Sequence, residues 1–265
     1  MVTESQPVCL TIAGLDPSGG AGVVADIRTF SAFGCFPTAA IASVTFQNTT
    51  GVFGAVHQSA ADVRRQVEPI FDDFAVAAVK TGMLPTREII ETVADILTGR
   101  KVETLVVDPV VRSTSGFDLI DDAALEALIE RLFPLAAVIT PNIPEAERIA
   151  RMTIDSPDSL KLAAEAMRGL GAANVLIKGG HFKENERSGK AIDRLFTASG
   201  LQSFAADLIK TTATHGTGCT LAAAITANLA LGKELAESVR IAKEFVTNAI
   251  RTAPNLGHGH SPINI

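Results

Sequence analysis

The sequence predicts an α/β fold: a central, mostly parallel β-sheet flanked by helices on both faces. Three observations predict it. Apolar runs of strand length recur along the chain, stretches with helical periodicity separate them, and the runs are nearly continuous in apolar residues, as in strands covered on both faces. The 265 residues suffice for one large domain or two small ones. No linker rich in proline, serine and glycine, no repeat and no low-complexity tract divides them, so a single domain spanning 1–265 is expected.

The elements follow in order. Strands are expected at residues 8–13, 38–44, 76–80, 104–108, 136–140 and 174–178, and helices between them at 22–33, 60–71, 86–97, 121–133 and 158–170. The C-terminal third changes character. Residues 191–196 and 202–204 read as a strand pair around Ala198-Ser199-Gly200, followed by helices at about 218–231 and 234–252. The last helix places Leu235, Val239, Ala242, Phe245, Val246 and Ala249 on one face at intervals of three and four, so that face should pack on the sheet.

Hydrophobic residues make up 47 % and charged residues 20 %, the balance of a folded enzyme-sized domain rather than of a disordered chain. The net charge of −6, from 23 basic and 29 acidic residues, offers no basic surplus for a phosphate backbone, so a small molecule is a better partner than nucleic acid. An anionic small molecule would then be held by local devices such as helix N-termini, a few lysines or a metal. The first seven residues do not read as a secretory signal, and the most apolar long stretch, 220–231, is too short to span a membrane; a cytosolic location is expected. Cys9, Cys35 and Cys219 form neither a disulfide framework nor a zinc site, and Cys9 and Cys35 read as small core residues. His57, His181, His258 and His260 offer no transition-metal spacing.

In an open parallel sheet, ligands bind beyond the carboxyl ends of the strands. After the first strand comes Gly14-Leu15-Asp16-Pro17-Ser18-Gly19-Gly20-Ala21-Gly22, which is either a loop that lets backbone approach a ligand or a tight turn into a helix. It matches neither the dinucleotide fingerprint nor the P-loop. After the second comes Thr45-Phe46-Gln47-Asn48-Thr49, where Gln47 has an amide that can both donate to and accept from a heterocycle edge, while Asn48 reads as a turn residue. Asp108 and Glu145 follow strand-like runs. They are candidate Mg²⁺ ligands, or a cap and a first-turn acid. Lys178 ends the strand at 174–178, where its ammonium could meet phosphate oxygens.

The sharpest motif is Thr214-His215-Gly216-Thr217-Gly218-Cys219-Thr220 at a helix start, where free N–H groups and the helix dipole form an anion site. The same field should lower the Cys219 pKa and fit the thiol as a general base; the alternative is a cysteine buried in the first turn.

In this order, D-P-S-G-G-A-G with Asp26, Q-N-T, K-T-G-M-L, V-D-P-V, T-P-N-I-P-E-A, K-G-G-H, H-G-T-G-C-T and the closing G-H-G-H-S-P-I-N resemble the hydroxymethylpyrimidine/phosphomethylpyrimidine kinases. The resemblance runs from Thr11 to Ile263 and implies a ribokinase-like fold. It also implies ATP-dependent phosphorylation of 4-amino-5-hydroxymethyl-2-methylpyrimidine, and then of its monophosphate, at one site. By the same resemblance Gln47 would bind the aminopyrimidine edge, Asp26, Ala21 and Thr45 would line its pocket, and Met83 and Val110 would close it. Asp108 and Glu145 would position Mg²⁺, Asn142 and Lys178 would contact nucleotide phosphates, Gly216, Thr217 and Gly218 would form the anion hole with Cys219, and Cys219 would replace the aspartate base of the wider superfamily. Relatives of this type are commonly homodimers. Leu15, Thr81 and Arg112-Ser113-Thr114 depart from the commonest form of the motifs, Leu15 and Thr81 near the expected pocket. A pyridoxine or pyridoxal kinase is the nearest rival reading, a non-catalytic binding relative the second, and a thiol-dependent enzyme lacks the partner residues it would need. The charged stretch 183–190 is a candidate mobile loop.

Overall fold

The computed structural model describes residues 6–111, 119–180 and 189–265. His181, residues 183–188 of the candidate loop, and Arg112, Ser113 and Thr114 lie outside them.

Alternation along the first strand, β1 (Val8–Leu15), sets the layers: Leu10 and Ile12 join one apolar cluster, while Cys9 joins another on the opposite face and Thr11 bonds Asp26 there. Helix α1 (Gly22–Ala32) returns the chain to β2 (Phe36–Asn48), which pairs parallel with β1 and antiparallel with β3 (Gly51–His57). There follow α2 (Ala60–Asp73), β4 (Val76–Thr81), α3 (Arg87–Gly99), β5 (Leu105–Val107), α4 (Asp122–Ala127), β6 (Val138–Ile139), α5 (Ile143–Ala150), α6 (Pro157–Gly169), β7 (Val175–Ile177), the antiparallel pair β8 (Lys190–Thr197) and β9 (Gly200–Asp207), α7 (Thr217–Ala230) and α8 (Leu235–Arg251). The nine strands form one sheet in the order β3-β2-β1-β4-β5-β6-β7-β8-β9. It is parallel from β2 through β7, and the predicted mostly parallel sheet with helices on both faces is present.

The larger apolar cluster packs α2 to α6 on one face, with Val63, Ile90, Ala124, Ile149 and Leu160 among its members. Val106, Val138, Leu176 and Leu195 point the other way and meet Leu221 and Ile225 of α7 and Val239 and Ala242 of α8. Every residue of α7 from Thr220 to Asn228 is buried, which explains why its sequence is apolar all round.

Four elements depart from expectation. The second strand extends well beyond 38–44, and β3 was not anticipated. Asn48 makes the turn between them, its Oδ1 accepting the N–H (2.8 Å) and O–H (2.7 Å) of Thr50. The predicted helix at 121–133 loosens after Ala127 into a π-helical turn, Leu128–Leu132, and a 3₁₀ turn, Phe133–Leu135, ahead of β6; Pro134 has no N–H to continue an α-helix. Helix α5, also unanticipated, starts at Asn142 with a reciprocal cap: Asn142 Oδ1 accepts the Glu145 N–H, and Glu145 Oε2 accepts the Asn142 N–H.

Candidate active site

The strand order reverses at β1, whose neighbours β2 and β4 are reached in opposite directions, and a crevice opens there beyond the carboxyl ends. A cavity of about 1050 Å³ occupies it, lined by Gly14, Ala21, Thr45, Gln47, Met83 and Val110 together with Asp108, Asn142, Glu145 and Lys178. The anion motif, from Thr214 to Cys219, lies on the same wall system.

Helix α7 begins at Gly216, whose φ of +85° only glycine adopts without strain; a Cβ there would also overlap the Gly20 carbonyl oxygen. The two glycine-rich loops therefore meet backbone to backbone. The pairing is reinforced by His215 Nε2, 2.7 Å from Asp16 Oδ2, while Asp16 also accepts the Ser18 N–H and O–H and the Ala21 N–H. Burial works against the Asp16 charge, but the hydrogen bonds from His215 and Ser18 outweigh it and hold the carboxyl at about 2. Thr217 N–H bonds the Thr214 carbonyl (3.3 Å), the N–H groups of Gly218 and Cys219 after it have no intrahelical partner, and both residues line the cavity.

Lys178 Nζ donates to Asp108 Oδ1 (2.8 Å) and lies 3.8 Å from Glu145 Oε2, and Thr140 Oγ1 donates to the same Asp108 oxygen (3.0 Å). Asp108 Oδ2 lies 3.9 Å, and Lys178 Nζ 3.2 Å, from where a Cβ on Gly218 would stand, so the carboxylate and ammonium sit directly at the mouth of α7. Burial opposes the Asp108 charge, but Lys178 and Lys80 more than compensate and hold its carboxyl below the ordinary range. Burial pushes Glu145 up to about 7, with Lys178 resisting and Asp108 adding.

Cys219 departs from expectation. Burial pushes its thiol up to about 11; Lys80 pulls it down, Asp26 and Asp108 push it further up, and the Gly22 backbone resists. The helix terminus does not leave a ready thiolate, because desolvation outweighs it.

The deciding comparison is with known families: a model described as phosphomethylpyrimidine kinase matches residues 16–264. The chain belongs to the phosphomethylpyrimidine kinase family. It is 45 % identical over 256 residues to the hydroxymethylpyrimidine/phosphomethylpyrimidine kinase of Haemophilus influenzae, covering 96 % of this chain and 95 % of that one. It is 44 % identical over 255 residues to the thiamine biosynthesis bifunctional protein ThiED of Geobacter sulfurreducens, where it covers 96 % of itself but spans only 51 % of that longer protein. Among solved structures it resembles the phosphomethylpyrimidine kinase of Clostridium difficile (TM-score 0.81, 41 % identity, 92 % of this chain and 100 % of that one). It also resembles the ADP complex of Bacillus subtilis pyridoxal kinase (TM-score 0.89, 36 % identity, 98 % and 97 %). The fold is that of the ribokinase-like vitamin kinases.

Within that family fold, the structure brings all but one of the residues read from sequence to the cavity. Asp26 is the exception. It is fully buried behind the wall, accepting from Lys80 Nζ (2.8 and 3.1 Å) and Thr11 Oγ1 (2.6 Å), and Lys80 in turn lines the cavity. Asn142 lines the cavity, but its Oδ1 is committed to the α5 cap, leaving its amide donors for a ligand. Sequence reading assigned no role to Lys80, Asp16 or Thr140. Lys80 had a signal: a lysine closing an apolar strand, matched by an aspartate on the apolar stretch of α1.

Proposed function

We propose that this chain uses ATP to phosphorylate the hydroxymethyl group of 4-amino-5-hydroxymethyl-2-methylpyrimidine and then the resulting monophosphate, two steps of thiamine biosynthesis performed at one site in a single domain. The observation that carries the reading is one cavity with an amide-bearing wall at Gln47 and a phosphoryl wall at Lys178, Asp108 and the α7 N-terminus. Gln47 pairs with the aminopyrimidine edge, Thr45, Ala21, Met83 and Val110 shape its pocket, and Asp26 acts from behind by holding Lys80. Lys178 and the Asn142 amide take nucleotide phosphates, and the Gly216, Thr217, Gly218 and Cys219 backbone receives the transferring group.

The residues also fit a Mg²⁺ ion. Among the described residues no three metal-binding side chains cluster, but Asp108 and Glu145 supply two carboxylates at the phosphate wall, the usual provision when substrate phosphates and water complete the shell. When bound there it would neutralise charge on the phosphates. The chain's own share of the chemistry is alignment and charge stabilisation, which dominate phosphoryl transfer. As the acceptor oxygen bonds to the γ-phosphorus, the bond to the β-phosphate oxygen breaks, ADP departs, and the alcohol proton passes to the thiolate form of Cys219.

No helix among the described residues is long and apolar enough to cross a membrane, and the proposal places the enzyme in the cytosol as a homodimer. The likeness to a pyridoxal kinase favours one second reading, phosphorylation of pyridoxal at the same site. A coupled ATP-consumption assay with the pyrimidine alcohol, its monophosphate and pyridoxal at equal concentrations decides. Turnover of both pyrimidines is expected; turnover of pyridoxal alone would move the substrate, and none at all would leave a binding protein.

A further inference from the structure

The closing G-H-G-H-S-P-I-N segment has been given no role so far, yet it ties the β2–β3 turn to the anion loop and contributes His260 to the cavity lining. At one end its backbone grips the β2–β3 turn: His258 and Gly259 N–H donate to Thr49 Oγ1 (3.2 and 3.4 Å) and His260 N–H to Thr49 O (2.7 Å). A Cβ on Gly259 would overlap the Thr49 carbonyl oxygen, so the contact depends on glycine there. At the other end the segment meets the anion loop, with His215 N–H donating to Ser261 O (3.3 Å) and His215 bridging Pro262. The far side is anchored by the buried Ile263 and by Asn264 N–H bonding to Ala249 O. Thr49 stands two residues from Gln47, and His215 immediately precedes Gly216. His260, exposed at the mouth, is therefore carried by the segment that links the turn after Gln47 to the anion loop; it lines the cavity, with Nδ1 3.3 Å from Thr214 Oγ1.

The position matters for the second acceptor. In the first step the hydroxymethyl oxygen must reach the γ-phosphorus. In the second step a non-bridging oxygen of the acceptor's own phosphate attacks it, the bond to the β-phosphate oxygen breaks and ADP leaves. The ring must then sit further from α7 by one phosphoester unit, and a second anionic group occupies the interval between Gln47 and Gly216. The nearby basic side chains have carboxylate partners, His215 with Asp16, Lys80 with Asp26 and Lys178 with Asp108, and the last is assigned to the nucleotide phosphates. His260 is paired only with a neutral hydroxyl.

We propose that His260, presented by the C-terminal strap, binds the phosphate of the monophosphate acceptor and so favours the second phosphorylation over the first. The inference rests on the kinase reading above and assigns the strap to acceptor choice within it. It is tested with His260→Ala, His260→Gln and, as a control on the same strap, His258→Ala, which is absent from the cavity lining, each screened for an unchanged melting temperature. A charge-assisted hydrogen bond corresponds to about tenfold or more in binding, so His260→Ala should lower kcat/KM for the monophosphate about tenfold more than for the alcohol, mainly through KM. His260→Gln, which keeps a donor, should recover part of that ratio, and His258→Ala should leave it unchanged. Dissociation constants of both acceptors, measured by calorimetry without nucleotide, should show the same ratio. An equal loss on both acceptors, or an unchanged ratio, would overturn the inference. Absence of turnover in the wild type would sink the kinase reading instead, while the calorimetric ratio would still decide the contact.

Discussion

Cys219 occupies the third position of α7, facing Lys80 across the cavity floor, and its chemistry is a contest between burial and that ammonium. Its thiol, raised to about 11, is neutral at pH 7, so a base at this position works from a small thiolate fraction that grows as pH rises. The alcohol acceptor must lose a proton, whereas a phosphate monoester with a second pKa near 6 has already lost it. The two steps should therefore differ in their need for Cys219. In the wild type, kcat/KM for the alcohol should climb between pH 8 and 10, where Glu145, at about 7, is already ionised. The monophosphate should show no such climb. Replacing Cys219 by alanine should flatten the alcohol profile and cost about 100-fold or more on that step, the scale of a lost general base, with a much smaller loss on the second. Equal losses and unaltered profiles would reduce Cys219 to a wall of the anion hole. The residue could be found from its motif, but its pKa could not, because the motif does not report burial or the carboxylates behind it.

At the scale of elements, the Lys80–Asp26 pair joins the end of β4 to the middle of α1 with both side chains fully buried. Burial opposes the Lys80 charge, and Asp26 more than restores it. Replacing Lys80 by methionine strands the carboxylate in an apolar layer, and urea unfolding should show a loss of about 3–5 kcal/mol. The Lys80→Met, Asp26→Asn double variant should recover most of it. Recovery is the informative outcome, because simple loss of packing at position 80 would persist in the double variant. This pair also illustrates which elements sequence could deliver. Strands with continuous apolar runs and helices with a clean apolar face were legible, as were the loops after them. β3 was not: Gly51, Gly54 and His57 interrupt its pattern, since an edge strand buries little. Helix α5 was not either, although N-I-P-E carries a capping-box spacing, because its eight residues and two-residue neighbour strand β6 give periodicity little room. The cavity-facing residues came through because strand ends position them. Lys80 and the strap depend on contacts between segments 54 and more than 200 residues apart, which no local pattern encodes.

At the scale of the molecule, the sheet ends in two edges, β3 and β9, and they are finished differently. β9 exposes one large apolar residue, Leu201, among the polar and charged Gln202, Ser203 and Asp207, the last paired to Lys190. The other edge carries Phe46 (51 % exposed), Phe53 (69 %) and Val56 (54 %) on β2 and β3, without a lysine, arginine or carboxylate on β3 to discourage pairing. The sequence contains neither tryptophan nor tyrosine and gave no aromatic patch to argue from; the fold makes one by gathering phenylalanines on a hairpin. Strand edges with exposed apolar residues are templates for association, and natural edges are otherwise blunted by lysine, proline or covering elements. The same hairpin carries Gln47 and is held by the strap at Thr49, so a partner at this edge would also steady the pyrimidine wall. Light scattering should give twice the 27.7 kDa of one chain. Placing lysine at Phe53 and Val56 together should halve that mass and raise KM for the pyrimidine more than for ATP, because Gln47 lies on the loosened hairpin and the nucleotide groups do not. A monomeric wild type would refute the homodimer, and a dimer indifferent to the two lysines would move its interface to another face.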